Sequence, residues 1–82
     1  MVKVRFDPKF QNIFYKIKDN LLKQKVIKQI KKIKQNPEIG KPMRNVRKGT
    51  RELYIKSFRL SYSYFKNEDK IILLDFYHKK KQ

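Results

Sequence analysis

Apolar and charged residues alternate in Val2-Lys3-Val4-Arg5-Phe6, the two-residue period of a strand that buries one face. Asp7-Pro8 ends that pattern and starts a helix, because aspartate caps a helix N-terminus and proline suits its first position. Phe10, Ile13, Phe14 and Ile17 follow at helical spacing. Asp19-Asn20 interrupts this helix and caps a second, in which Leu22, Val26, Ile30 and Ile33 form a stripe widened by Leu21 and Ile27. Lysines cover the rest of its surface. A tight turn between two such helices predicts a helical hairpin with one shared apolar face.

Asn36-Pro37 stops the second helix, and Gly40-Lys41-Pro42 predicts irregular chain. After Gly49 the period returns to two. Leu53 and Ile55 alternate with Glu52, Tyr54 and Lys56; Phe58, Leu60, Tyr62 and Tyr64 alternate with Arg59, Ser61 and Ser63. Lys66-Asn67-Glu68-Asp69 predicts a turn, and Ile71–Phe76 a third strand of this meander. The fold class expected is α+β: βαα followed by a three-stranded antiparallel meander, with the helical hairpin packed on one face.

A two-residue turn at Lys56-Ser57 fixes the pairing of the strands around it. Ile55 faces Phe58, Tyr54 faces Arg59, Leu53 faces Leu60 and Glu52 faces Ser61. Leu53, Ile55, Phe58, Leu60, Tyr62 and Tyr64 then lie under the helices. Glu52, Tyr54, Arg59, Ser61 and Ser63 lie on a second face, polar and expected to be bare. For the third strand the register stays open. A turn longer by one residue exchanges Ile72, Leu74 and Phe76 with Ile71, Leu73 and Asp75.

With 82 residues, the chain has room for one domain, residues 1–82, of which 77–82 are expected to form a mobile basic tail. Charge then narrows the function. Twenty-three Lys and Arg against seven Asp and Glu give a formal net charge of +16. Such self-repulsion calls for a polyanionic partner. The longest apolar runs fall far short of a membrane span, and the N-terminus lacks the continuous apolar core of a signal peptide, so the cytoplasm is expected. Without cysteine and with a single histidine, no disulfide, metal site or cofactor is expected.

The stretch Asn36-Pro37-Glu38-Ile39-Gly40-Lys41-Pro42-Met43-Arg44 resembles a loop of the RelE/ParE toxin superfamily. Arg47-Lys48-Gly49, Arg51-Glu52-Leu53-Tyr54-Ile55 and Phe58-Arg59-Leu60-Ser61-Tyr62 continue the resemblance. Ile71 through Lys79 closes it, similar to a last strand ending in a basic pair. The resemblance implies the toxin of a type II toxin–antitoxin system. RelE-like members cleave mRNA in the ribosomal A site; ParE-like members poison DNA gyrase on the same fold. A RelB-like antitoxin is the implied partner, with a toxin–antitoxin heterotetramer as the expected complex, alongside ribosome and mRNA and no membrane.

Metal-independent RNA cleavage by the 2′-hydroxyl needs a base, an acid and charge at the phosphorus. By the resemblance, Arg59 holds the scissile phosphate, and a guanidinium suits that bidentate role; otherwise it is a surface arginine. His78, Lys79 and Lys81 match the basic end of the family's last strand. They serve as acid, base or phosphate grip, or else form a solvated tail. Lys41, Arg44, Arg47, Lys48 and Arg51 fall within eleven residues and, with Lys56, are expected to contact RNA backbone, against the alternative of a solvated loop. Glu52 and Tyr54 stand where some RelE enzymes carry lysines. Tyr54 and Tyr77 are candidates to stack on bases. Three readings stay open: ribonuclease, gyrase inhibitor and non-catalytic basic RNA-binding module.

Overall fold

The computed structural model describes residues 2–43 and 49–81. Strand β1 (Lys3–Phe6) leads into helix α1 (Pro8–Tyr15) and helix α2 (Asn20–Gln35). Strands β2 (Lys41–Pro42), β3 (Arg51–Ile55), β4 (Phe58–Phe65) and β5 (Lys70–His78) follow, and Lys79–Lys81 form a closing 3-10 turn. The helix starts arise as the sequence predicts, although α1 ends at Tyr15 and leaves Ile17, expected on its apolar stripe, in the connection to α2. Asp7 accepts a hydrogen bond from the Lys9 backbone N–H at 2.9 Å, and Asp19 accepts from Leu21 and Leu22 at 3.0 and 3.2 Å. Each carboxylate satisfies donors that the first turn of its helix would leave unpaired.

The strands form one five-stranded sheet in the order β1-β5-β4-β3-β2. β1 runs parallel to β5, and the other pairings are antiparallel. The β3–β4 register is the predicted one, from Ile55 opposite Phe58 to Glu52 opposite Ser61. Lys41-Pro42 departs from the expected irregular loop: it pairs with Glu52 and Arg51 as a short edge strand. β5 also extends past Phe76 to His78, so Tyr77 and His78 are strand residues.

Both registers weighed for the last strand are realised, one on each side of a bulge. Ser61 pairs with Asp75 but Tyr62 pairs with Leu73, which leaves Leu74 without a partner. The extra residue reverses the alternation. Ile71 and Leu73 before it, and Phe76 after it, therefore all face the core. They meet Phe10 of α1, Val26 and Ile33 of α2, and Ile55, Leu60 and Tyr62 of the sheet. Leu21, expected to widen the α2 stripe, instead points outward at 71% exposure.

The face away from the helices is polar but not bare. Glu52 and Ser61 are 2% and 5% exposed. The phenol of Tyr77 reaches from β5 across β4 and donates a hydrogen bond to the Glu52 carboxylate on β3. A buried carboxylate is costly unless it is hydrogen-bonded, and this bond helps to offset that cost.

Candidate nucleic-acid interface

Arg59 occupies the middle strand of the outer face. Tyr54 on β3 and Tyr77 on β5 are its direct cross-strand neighbours. Its guanidinium lies 3.9 Å from the centre of the Tyr54 ring, and it donates to the carbonyls of Phe58 and Lys56 at 3.1 and 3.4 Å. These contacts hold a half-buried cation in one orientation over an exposed aromatic ring. Lys41 stands at the edge of the next row, in which Lys41, Glu52, Ser61 and Asp75 are successive neighbours across four strands. The other carboxylate in that row, Asp75, is paired with Lys9 of α1 at 3.2 Å.

Other candidates fall elsewhere. His78 lies opposite Phe58, on the helix-facing side, with its ring edge-on to that phenylalanine at 5.2 Å. Its Nδ1 accepts a hydrogen bond from the Lys80 backbone N–H at 3.2 Å. Arg59 and His78 are thus on opposite faces of the sheet, because adjacent strand positions alternate. Arg51, expected to contact RNA backbone, lies opposite the core residue Tyr62 and so on the helix-facing side. Its guanidinium donates to the carbonyls of Glu38 and Gly40 at 3.0 and 2.8 Å and tethers the loop before β2.

Lys79 and Lys80 are exposed. The Lys79 backbone N–H donates to Ser57 at 2.8 Å, so the closing turn is pinned to the β3–β4 connection. Exposed Lys56 sits in that same connection, near Lys25 of α2. Contact with the Lys56 side chain pushes the Lys25 ammonium below its ordinary pKa, with loss of solvation and charge repulsion adding to the effect. Arg44, Arg47 and Lys48 lie outside the described residues, as does the side chain of Lys81.

Sequence reasoning does not single out Glu52 as a site residue. The β3–β4 register places it on the outer face, but only coordinates reveal the reach of Tyr77 over β4. A second feature also escapes the sequence. Val4, Phe6, Phe10, Phe14, Ile27 and Ile30 line a groove of about 650 Å³ between β1 and the helices, rimmed by Lys31 and Lys34.

This architecture is shared with RelE-type toxins of known structure. The E. coli RelBE toxin–antitoxin complex contains a chain that superposes with a TM-score of 0.81 at 12% identity, covering 95% of this chain and 96% of that one. RelBE2 of Mycobacterium tuberculosis gives 0.81 at 23% identity, with coverages of 94% and 96%. The YoeB/ParE toxin from Agrobacterium tumefaciens gives 0.83 at 13% identity, with coverages of 94% and 98%. No curated protein matches the chain. At the level of sequence, residues 4–82 match the ParE toxin family of the type II toxin–antitoxin system parDE, and the chain belongs to that family.

Proposed function

We propose that this toxin is a ribosome-dependent, metal-independent endoribonuclease that cuts mRNA in the A site. The observation that carries the reading is the row Tyr54-Arg59-Tyr77, which sets one oriented guanidinium between two aromatic side chains on the helix-free face. A guanidinium held this way offers paired donors to a phosphodiester, and a neighbouring aromatic ring offers a base something to stack on. Lys41, Lys56, Lys79 and Lys80, joined by Arg44, Arg47, Lys48 and Lys81, supply further charge for RNA backbone. His78 contributes at the end of the sheet, by charge or by packing. Ribosomal RNA fits the net charge of +16 and places the action in the cytoplasm.

The partner of such a toxin is a RelB-like antitoxin. An acidic amphipathic segment fits the groove beside β1, with its apolar side against Phe6 and Ile30 and its carboxylates at Lys31 and Lys34. A toxin–antitoxin heterotetramer is the expected complex. The rival reading, inhibition of DNA gyrase, is favoured by the family match to ParE.

Primer extension across ribosome-bound mRNA separates the two. Wild-type protein is expected to leave discrete A-site cuts, and Arg59→Ala to reduce them about 100-fold or more. Intact mRNA with gyrase-dependent DNA breaks favours gyrase inhibition. Intact mRNA and DNA leave an RNA-binding module without chemistry.

A further inference from the structure

Cleavage beside Arg59 needs a proton acceptor on the same face of the sheet, and the structure limits the choice. His78 is on the other side. Asp75 is held by Lys9. Lys79 follows the strand, pinned through its backbone to Ser57. Among the described residues of the rows that contain Arg59 and Ser61, Tyr54 lies under the guanidinium, while Tyr77, the other direct neighbour of Arg59, donates its phenol proton to the buried Glu52 carboxylate.

We propose that Tyr77 and Glu52 form the proton relay of this site. The inference rests on the ribonuclease reading and deepens it. Tyr77 is the catalytic member because its phenol faces the substrate; Glu52 acts through it, as a positioning residue and final proton acceptor. A phenol oxygen both accepts and donates, so it takes the 2′-hydroxyl proton while passing its own to the carboxylate. The phenol ends neutral and Glu52 ends protonated. In the same step the 2′-oxygen bonds to phosphorus and the bond from phosphorus to the 5′-oxygen breaks, with Arg59 on the non-bridging oxygens. Solvent water protonates the departing 5′-oxygen, and the hydroxide so formed takes the proton back from Glu52. The products are a 2′,3′-cyclic phosphate and a 5′-hydroxyl, and no net proton is gained or lost.

The geometry favours a relay over a carboxylate acting directly. Glu52 is only 2% exposed, so a substrate 2′-hydroxyl reaches it through Tyr77. Burial also holds the carboxylate in one place, which general-base catalysis requires.

The test uses full-length toxin, ribosomes programmed with a defined mRNA, and single-turnover cleavage, with ribosome binding measured separately. Glu52→Gln keeps an oxygen for the Tyr77 hydrogen bond but cannot hold the proton, and Tyr77→Phe removes the phenol. Each is expected to slow cleavage about 100-fold or more with unchanged ribosome affinity. The double variant should be no slower than either single one, because the pair acts as one unit. Glu52→Asp should recover part of the rate lost in Glu52→Gln.

Cleavage by Glu52→Gln within roughly threefold of wild type, or losses that add in the double variant, overturns the relay while the ribonuclease reading stands. A wild-type protein that makes no cuts overturns both. If circular dichroism shows Glu52→Gln unfolded, Tyr77→Phe carries the test: a folded variant that cuts at the wild-type rate refutes the relay.

Discussion

The Gly40 backbone N–H donates to the Tyr62 hydroxyl at 2.9 Å, and a Cβ on Gly40 would sit 2.6 Å from that same oxygen. The loop before β2 therefore closes directly onto a fully buried tyrosine, whose hydroxyl also donates to the Pro37 carbonyl at 2.7 Å. Tyr62 sits amid the core with no room to retreat. Gly40→Ala is accordingly expected to destabilise the fold by about 1–3 kcal/mol, as overpacking a core does. For a domain of this size that lowers the thermal midpoint by several degrees, roughly 4–8 °C per kcal/mol. Thermal melting followed by circular dichroism checks this, and an unchanged midpoint would mean that the loop does not close on Tyr62.

The same tyrosine predicts an alkaline limit. Burial raises its pKa above the ordinary value of 10.0, outweighing the Gly40 hydrogen bond and the charge of Arg51, which lower it. A raised pKa in the fold means that the neutral phenol is the form the fold favours. Its contribution is complete below pH 10.0 and is lost as pH climbs through the raised value. Lysines lose charge over the same range and relieve repulsion, so the comparison must isolate the phenol. Tyr62→Phe should cost about 1–3 kcal/mol at neutral pH, since the Gly40 N–H loses its acceptor. The gap between wild type and variant should then narrow as pH rises above 10.0. Urea unfolding at a series of pH values reads that gap directly, and a constant gap contradicts the assignment.

Lys56 carries two unfavourable features at once. Its φ of 56° is a left-handed conformation that side chains with a Cβ rarely adopt, and its charge lies close enough to Lys25 to disfavour the Lys25 ammonium. Lys56→Gly removes both and should stabilise the domain, with about 1 kcal/mol expected from the backbone alone. The electrostatic part has its own signature. Added salt screens the repulsion in wild type, so the melting midpoint should rise more with ionic strength in wild type than in the glycine variant. Equal salt responses would show that the two ammonium groups do not interact.

Much of this architecture can be read from periodicity and punctuation. Asp7-Pro8 and Asp19 mark helix starts because their carboxylates cap backbone donors, and the Lys56-Ser57 turn sets the β3–β4 register because a two-residue connection leaves one pairing. Arg59 falls on the outer face for the same reason. The Leu74 bulge follows no such rule: with both faces of β5 apolar along this stretch, hydrophobicity does not say where the alternation reverses. The Lys41-Pro42 strand is too short for a periodic signal. The displacement of His78 from Arg59 follows once β5 is known to run two residues beyond Phe76. The Tyr77–Glu52 bond depends on a side chain crossing an intervening strand, a distance that sequence spacing does not encode.

On the proposed reading the antitoxin sits in the groove beside β1, away from the face that carries Arg59. Ile27 lines the groove and is 39% exposed, so a charge there disturbs the core less than one at the more enclosed Ile30. Neither residue approaches the outer face of the sheet. Ile27→Lys should therefore leave cleavage of ribosome-bound mRNA unchanged while weakening antitoxin binding about tenfold or more, the scale of one buried apolar anchor. Electrostatics provides the control. Adding a positive charge beside Lys31 and Lys34 should speed the encounter with an acidic partner slightly, so the loss must come from faster dissociation. Surface plasmon resonance with a RelB-like antitoxin that neutralises the wild-type protein resolves the two rates. A variant that is still captured tightly and released slowly would place the antitoxin on another surface.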